Sequence, residues 1–244
     1  MPEPVALPVV KLLAKEPVAL NTVSFRFEKP EGFEYVAGQF ADYTLVNPPE
    51  TDAEGNIRGF SFSSAPYEPF LQATTRMRDT AYKRVLGDAS VGTEVLLDAP
   101  WGSFTLHHKT ERPAVFLTGG IGVTPARSIV LQSVHDGAGP AITVFDSNHT
   151  PEEAAFLEEF TRVAAENEQI TYVPTMTGEG VPATGWAGET GHIDAAMLAR
   201  YVEDLTAPIY YVCGPGAMVK AMRGVLDAAG VDSDDIRTEE FTGY

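Results

Sequence analysis

The spacing of apolar residues changes near Arg112 and divides the sequence into two parts. The first part contains five short segments that alternate apolar and polar residues or are rich in strand-forming residues: TVSFRFE, FADYTLV, GFSFSSA, LQATTRMR and TEVLLDAP. Clusters of glycine, proline and asparagine separate them, as turns separate strands. This spacing predicts a small antiparallel β-barrel or sandwich.

After Arg112 the sequence alternates apolar strands with helical patterns. Runs such as AVFLTGG, AITVFD, ITYVPTM and IYYVCGP alternate with helical stretches such as PEEAAFLEEFTRVAAEN and GAMVKAMRGVLDAAG. Strands that are apolar throughout are typical of a parallel sheet covered by helices on both faces. The sequence therefore predicts an α/β doubly wound parallel five-stranded sheet, and we place the two domains at residues 1–108 and 109–244.

The composition is that of a globular protein and restricts the possible sites. Of 244 residues, 44% are hydrophobic and 21% are charged. The single cysteine, Cys213, cannot form a disulfide or a cysteine-ligated iron-sulfur cluster within this chain. The five histidines show no HExxH or similar spacing, and we predict no metal site.

The formal charge of −17 bears on the partners. It argues against binding to nucleic acid, and it slows association with an acidic carrier unless positive residues cluster at the docking face. No apolar run approaches the length of a membrane span, and the start MPEPVALPVV lacks the positive charge of a signal peptide. We therefore expect a cytoplasmic protein with no membrane span.

Two strand-to-helix turns in the second part are suited to contact with a ligand. In VFLTGGIGVTPA, the strand ends at Thr118 and a helix is expected to start near Pro125. Glycines in such a turn let the backbone approach closely, while free N–H groups and the helix dipole favour a phosphate. The GxGxxG fingerprint fails at its last position, where Pro125 stands, so a plain glycine-rich turn is the alternative.

The second turn is YYVCGPGAM, in which Cys213, Gly214 and Pro215 end a strand. Because ligands bind at the carboxyl ends of parallel strands, we expect both turns to face one crevice. An isolated cysteine is more commonly a small buried apolar residue, which is the alternative for Cys213.

An arginine, two phenylalanines and three serines stand together in RGFSFSSAP, residues 58–66. Strand alternation places Phe60 and Phe62 on one face and Ser61 and Ser63 on the other. Taken alone, the segment is equally an ordinary edge strand.

The order and distances of this arginine-x-aromatic-serine stretch, GGIGVTP, CGP and a C-terminal EEFTGY closely resemble the ferredoxin-NADP reductase family. AGQF and GSFTL match the family pattern on either side of the flavin motif. The resemblance covers nearly the whole chain and implies an FAD-binding barrel, an NAD(P)-binding α/β domain and a C-terminal tail that shields the flavin.

In this family the arginine-x-tyrosine-serine motif holds FAD. By the resemblance, Arg58 pairs with the pyrophosphate, Phe60 lies against the isoalloxazine and Ser61 lies near flavin N5. Guanidinium binds phosphate with two hydrogen bonds, an aromatic ring stacks on a flat heterocycle, and a hydroxyl both donates and accepts. Phe60 replaces the usual tyrosine, so it keeps the ring and loses a hydroxyl.

The usual second phosphate motif, glycine-x-x-serine, is absent. TAYKRVL stands in its place and offers Thr80 and Lys83, although Lys83 is equally a solvated helix charge. We assign the nicotinamide nucleotide to the two glycine-containing turns, with these cofactor-binding residues: Gly119, Gly120, Gly122, Thr124, Pro125, Cys213, Gly214 and Pro215.

The segment EEFTGY resembles the family's terminal acid-x-aromatic segment. Its spacing makes Glu239 a carboxylate close to the site of hydride transfer and Phe241 the candidate shield over the flavin. Tyr244 is the rival for the shielding role. With Ser61 and Cys213, Glu239 and Phe241 complete the catalytic residues that we expect.

The segment VFDSNHTPEE bears on the choice of coenzyme. NADP-preferring relatives often carry an arginine where this sequence has His149, and a neutral histidine offers one donor and little charge. Asp146, if it points into the site, would repel a phosphate and accept a bond from a ribose hydroxyl. Ser147 and Asn148 could still donate to a phosphate. We expect a modest preference for NADH over NADPH.

The resemblance implies an FAD-dependent NAD(P)H oxidoreductase. Hydride passes from nicotinamide C4 to flavin N5, and electrons pass on to a carrier protein such as ferredoxin or flavodoxin. One alternative is a flavin or quinone reductase with a small-molecule acceptor. Another is a non-catalytic redox sensor or an electron-transfer subunit of a larger complex.

Overall fold

The computed structural model describes residues 7–178 and 186–241 of the chain. Its first sheet is antiparallel, with one helix before the last strand. The elements are β1 (Val9–Ala19), β2 (Thr22–Glu28), β3 (Phe40–Leu45), β4 (Ile57–Ser61), β5 (Phe70–Arg76), α1 (Ala81–Asp88) and β6 (Glu94–Trp101). The strand order is β4-β3-β6-β1-β2-β5.

The first sheet curls into a barrel, as the sequence predicted. Phe62, directly after β4, bridges to Ala73 of β5, so the two edge strands of the sheet approach each other. Helix α1 packs on the barrel core through Tyr82, whose hydroxyl donates to the Tyr43 carbonyl at 3.0 Å. The interior is filled by large apolar and aromatic side chains, including Phe25, Phe27, Tyr43, Phe62, Leu71 and Leu97.

The second sheet contains only parallel pairs, in the order β10-β9-β8-β7-β11-β12. Its strands are β7 (Ala114–Gly119), β8 (Ile142–Asn148), β9 (Ile170–Met176), β10 (Glu189–Thr190), β11 (Ile209–Pro215) and β12 (Ile236–Phe241). The helices are α2 (Val123–Asp136), α3 (Leu157–Glu166), α4 (Ala195–Leu198) and α5 (Gly216–Ala228). Separate apolar clusters join α2 and α3 to one face and α4 and α5 to the other, which confirms the doubly wound arrangement.

The predicted count of five strands in this sheet is wrong. The sixth strand is β10, whose two residues pair with Thr175 and Met176 at the end of β9. Two residues are too few to produce an alternating pattern, so the sequence gives no signal for such a strand.

The first sheet ends at Trp101 and the second begins at Ala114. Between them, Phe104 belongs to the apolar cluster of the second sheet and meets Tyr211 edge to face at 5.5 Å. The boundary between residues 108 and 109 stays a prediction. None of the described helices is long and apolar enough to cross a membrane.

Helix α2 joins the two sheets directly. The Ser128 hydroxyl donates to the Ser64 carbonyl at 2.6 Å, and the Arg127 guanidinium donates to the Ser63 carbonyl. Because α2 follows the glycine turn after β7, these bonds hold the segment after β4 beside the helix that the turn begins.

Candidate functional site

The predicted flavin motif lies on the edge strand β4. Phe60 is half-buried and packs against the edge of the barrel core, where its ring centroid lies 5.9 Å from that of Tyr43 and 6.0 Å from that of Tyr82. The Arg58 guanidinium lies 5.2 Å from the centre of the Tyr82 ring, and acidic side chains of residues 52–54 also contact it. The arginine and the aromatic ring of the motif therefore share one face of the strand, as alternation predicts.

The serines of the motif differ in their bonding. The Ser63 hydroxyl donates to the Gln72 carbonyl at 3.1 Å and lies 2.7 Å from the Thr74 hydroxyl. The Ser61 hydroxyl is buried and has no hydrogen-bond partner among the described residues. A buried hydroxyl without a partner is costly, so Ser61 fits a site for a polar atom that the chain itself does not supply.

Thr80 and Lys83 stand at the start of α1. Thr80 is the N-cap, and its hydroxyl accepts from the Lys83 N–H at 3.4 Å. The Lys83 ammonium is half-buried and donates to the Arg76 carbonyl at 2.7 Å. Burial, together with the nearby charges of Arg78 and Arg58, lowers its pKa from 10.5 to about 8. Lys83 is therefore part of a cationic cluster beside β4 rather than a solvated helix charge.

The glycine turn after β7 packs against the second turn. A 3₁₀ turn covers Gly120–Gly122, and α2 begins at Val123, two residues before the expected start. A Cβ on Gly122 would lie 2.2 Å from the Cys213 carbonyl oxygen, and one on Gly119 would lie 2.2 Å from the Met218 sulfur. Only glycine fits at position 122, where the obstacle is backbone, whereas at position 119 the Met218 side chain would have to move. The two turns therefore meet at the carboxyl edge of the sheet.

The remaining residues predicted for the turns line the same edge. Thr124 is buried, and its hydroxyl donates to the Ile121 carbonyl at 3.0 Å. Gly120 and Gly214 adopt positive φ angles of +53° and +153°. Pro125 lies inside the first turn of α2, and Pro215 ends β11. The helix dipole at the start of α2 favours an anion, although the Val123 N–H already donates to the Gly120 and Ile121 carbonyls and Pro125 has no N–H.

Cys213 and Glu239 are neighbours on β11 and β12. They are paired in the parallel register, and the thiol donates to the Glu239 carboxylate at 3.8 Å. Burial, reinforced by the carboxylate, raises the pKa of the Cys213 thiol well above its ordinary value. Burial also raises the pKa of Glu239 to about 7. The pair thus keeps a protonated thiol beside a carboxyl group that exchanges its proton near neutral pH.

Phe241 ends β12 opposite Pro215 and packs against the apolar cluster that includes Cys213. Its position beside the second turn is compatible with the predicted shielding role. Tyr244 lies outside the described residues. The choice between Phe241 and Tyr244 stays a prediction.

The end of β8 corrects one expectation. Asp146 was expected to bind a ribose hydroxyl if it pointed into the site, but its side chain is fully buried and accepts bonds from Thr118, Asn148 and Tyr172. These internal donors leave its carboxylate facing the sheet interior rather than a ligand. Ser147 is half-buried, and His149 is exposed with Nδ1 3.2 Å from the Thr177 hydroxyl.

The sequence pattern did not single out Arg127, which is almost fully buried on α2. Its guanidinium donates to the Glu159 carboxylate at 2.6 and 2.9 Å and to the Glu68 carboxylate at 3.1 Å. An arginine within the apolar pattern PARSIVLQSV was the available signal, because a buried arginine needs anionic partners.

The fold defines a two-domain protein whose second half has the parallel sheet and glycine turns typical of nucleotide-binding domains. The model of an oxidoreductase NAD-binding domain matches residues 116–224. Ferredoxin--NADP reductase B from Sorangium cellulosum is 27% identical over 242 aligned residues, covering 95% of this chain and 96% of that protein. In sequence and in fold, the chain is therefore similar to ferredoxin-NADP reductases.

Other relatives are longer. The reductase component of propane 2-monooxygenase from Rhodococcus jostii is 28% identical over 236 aligned residues, covering 93% of this chain. The chain spans 61% of the length of that reductase. A ferredoxin NADP+ reductase from Neisseria gonorrhoeae with bound FAD and NADP shares the fold, with a TM-score of 0.81 at 20% identity over 97% of this chain and 99% of that one.

Proposed function

We propose that the protein is an FAD-dependent NAD(P)H reductase in which hydride passes from nicotinamide C4 to flavin N5. The observation that carries this proposal is the direct bonding of α2 to the segment after β4, through Ser128 and Arg127. It holds the predicted flavin motif beside the helix that the predicted nucleotide turn begins. The Neisseria reductase of the same fold, with FAD and NADP bound, supports the assignment of both cofactors.

The residues present fit FAD. Arg58, Thr80 and Lys83 would bind its pyrophosphate, Phe60 would pack on its ring system, and the unpaired hydroxyl of Ser61 would bond to N5. When bound, FAD supplies a group that accepts two electrons and releases them to an acceptor. Arg58 and Lys83 would supply the positive charge for the pyrophosphate. The chain has only 17 Lys and Arg residues against 34 Asp and Glu residues.

The second half would hold the nicotinamide nucleotide at the edge where its two turns meet. The backbone of Gly119, Gly120, Gly122, Thr124, Pro125, Gly214 and Pro215 would bind the phosphates and ribose. Cys213 and Glu239 would orient the nicotinamide, with Glu239 holding a proton near neutral pH. Phe241 would cover the flavin face and yield to the nicotinamide.

The proposal is tested by NADH oxidation with ferricyanide as the electron acceptor. We expect protein stripped of flavin to be inactive and added FAD to restore the activity. Arg58→Ala should require about 30-fold more FAD for the same activity, because it loses a charge-assisted contact of about 2 kcal/mol. Activity without FAD, or the same FAD requirement in Arg58→Ala, would contradict these roles.

We propose that the acceptor is a protein, either a carrier such as ferredoxin or flavodoxin or an oxygenase component. The names of the Sorangium and Rhodococcus relatives support this class of acceptor. A small-molecule flavin or quinone acceptor is the alternative. Stopped-flow mixing of the reduced protein with each acceptor would decide between them. The cytoplasmic location stays a prediction.

We propose a modest preference for NADH. The residue directly after β8 is an exposed histidine, His149, rather than an arginine that could bind a 2′-phosphate with two hydrogen bonds. His149→Arg should move the ratio of kcat/KM values toward NADPH. A wild-type advantage of about tenfold for NADPH, equal to about 1.4 kcal/mol, would show that other residues bind the 2′-phosphate.

A further inference from the structure

The loop between β3 and β4 directs two carboxylates at Arg58. Arg58 Nη2 lies 2.7 Å from Glu54 Oε2 and 3.5 Å from Asp52 Oδ1. Arg58 Nη1 also donates to the Glu54 carbonyl at 2.9 Å. The guanidinium assigned to the FAD pyrophosphate thus already contacts two anionic groups of the chain itself.

The same loop reaches the start of α1. The Ala81 N–H donates to Asp52 Oδ2 at 3.0 Å, a bond that lowers the pKa of Asp52 and keeps it ionised. An anion is favoured at a helix start, where the N–H groups have no partner within the helix. Asp52 therefore occupies an N–H group at the start of α1, next to Thr80. This donor and Arg58 are among those that the FAD phosphates would use.

The loop has a defined shape that presents both carboxylates together. The Asp52 side chain accepts from the Glu54 N–H at 3.0 Å, and its carbonyl accepts from the Gly55 N–H at 3.0 Å. Gly55 completes the turn with a φ of +75°, which glycine adopts without strain. The Asp52 and Glu54 carboxylates, with one residue between them, contact the Arg58 guanidinium and the start of α1. Their two negative charges match the charge of a pyrophosphate.

We propose that Asp52 and Glu54 form an internal mimic of the FAD pyrophosphate and thereby set the affinity and selectivity of the protein for flavins. The inference rests on the proposed function, since it needs FAD to use Arg58 and α1. FAD must displace the loop, so part of its phosphate binding energy is consumed in breaking the loop contacts. Riboflavin has no phosphate and does not compete with the loop.

The decisive comparison is the dissociation constant for FAD and for riboflavin, measured by flavin fluorescence. The double variant Asp52→Asn/Glu54→Gln is compared with the wild type and with Glu166→Gln/Asp227→Asn. This control removes the same charge at two exposed positions of α3 and α5. We expect the loop variant to bind FAD at least about tenfold more tightly than the wild type, a gain of about 1.4 kcal/mol. Its affinity for riboflavin, and both affinities of the control, should change less than about twofold.

Three results would overturn the inference. If the loop variant binds FAD as tightly as the wild type or more weakly, the loop does not compete with FAD. That result leaves the proposed function intact. If the control variant gains the same affinity for FAD, the effect comes from the change in net charge and not from the loop. No FAD binding by any of the three proteins overturns the proposed function and this inference together.

Hydrogen exchange on the wild-type protein gives an independent measurement that needs no substitution. We expect FAD to speed the amide exchange of residues 52–56, because the loop is released, while it slows exchange at the start of α1. Slower exchange of residues 52–56 with FAD would mean that the loop binds the cofactor instead of competing with it, which would overturn the proposal.

Discussion

Lys83 illustrates how burial gives one residue a chemistry that its neighbours in sequence do not have. Arg84, the next residue on α1, is exposed and pairs with Glu50 at 2.7 Å. Lys83 turns inward to the Arg76 carbonyl, and its pKa falls to about 8. Its charge is therefore sensitive to pH within the range in which enzymes are assayed.

This pKa leads to a prediction for FAD binding. Below about pH 8 Lys83 is charged, and the affinity for FAD should be constant. Above it the free protein loses that charge, so the affinity should fall by up to about tenfold per pH unit. Lys83→Arg, which stays charged, should show no such fall. Fluorescence titrations at several pH values check this, and parallel pH profiles for the two proteins would contradict it.

At the residue scale, the sequence indicates candidate residue types better than it indicates their contacts. Arg58, Ser61 and Cys213 are candidates because of their motifs, and their roles stay a prediction. The inward direction of Asp146 was not predicted, because it depends on donors from Thr118 and Tyr172 on neighbouring strands. A side chain's direction follows from tertiary contacts that the local sequence does not contain.

The pairing of β11 and β12 brings together two of the predicted catalytic residues, Cys213 and Glu239. The parallel register places Glu239 opposite Cys213, and the next residue, Glu240, is exposed. One strand thus carries a half-buried and an exposed carboxylate side by side, which provides a matched control for the effect of burial.

Glu239 should make stability depend on pH. Its pKa is raised from 4.5 to about 7 in the folded protein, chiefly by burial. The folded state then holds a proton that the unfolded state releases, so this contribution is complete below about pH 4.5 and is lost as pH rises through about 7. Relative to Glu239→Gln, the wild type should lose about 1 to 3 kcal/mol of unfolding free energy between pH 5 and pH 8.

Urea unfolding at both pH values measures this loss. Glu240→Gln should follow the wild type, because its side chain is exposed. A Glu239→Gln curve with the same pH dependence as the wild type would show that Glu239 titrates normally.

Element boundaries show where sequence patterns fail. The spacing of Phe156, Phe160 and Val163 predicted one helix over residues 151–167, but the structure has a 3₁₀ turn at Pro151–Glu153 and α3 from Leu157. Phe156 interrupts the helix with a φ of +63°. Its ring lies 5.1 Å from the Arg127 guanidinium, which comes from another helix. A contact of this kind cannot be read from the local pattern.

For the whole molecule, the period of apolar residues was sufficient to predict two domains and their sheet types. It could not predict how the domains meet. Arg127 on α2 donates to the carbonyl of Ser63, which is 64 positions earlier. The same guanidinium also donates to the Glu68 and Glu159 carboxylates. Buried polar contacts between distant segments leave no periodic signal, although they hold the predicted flavin motif beside the predicted nucleotide turn.

Removal of Arg127 should therefore destabilise the molecule strongly. Arg127→Met leaves Glu68 and Glu159 without their shared partner, and we expect a loss of about 3 to 5 kcal/mol of unfolding free energy. Arg200→Met, which breaks the exposed pair of Arg200 with Glu189, should cost less than about 1 kcal/mol. Chemical denaturation measures both, and similar small losses would show that the Arg127 bridge is not structural.

The function that we propose requires the two halves of the molecule to place a nicotinamide against a bound flavin. Anaerobic mixing of the FAD-loaded protein with NADH, followed by the visible absorbance of the flavin, tests it most directly. We expect the yellow absorbance to bleach in a single fast phase, with NADPH bleaching it more slowly. A protein that binds FAD but whose flavin stays oxidised with both nucleotides would contradict the claim.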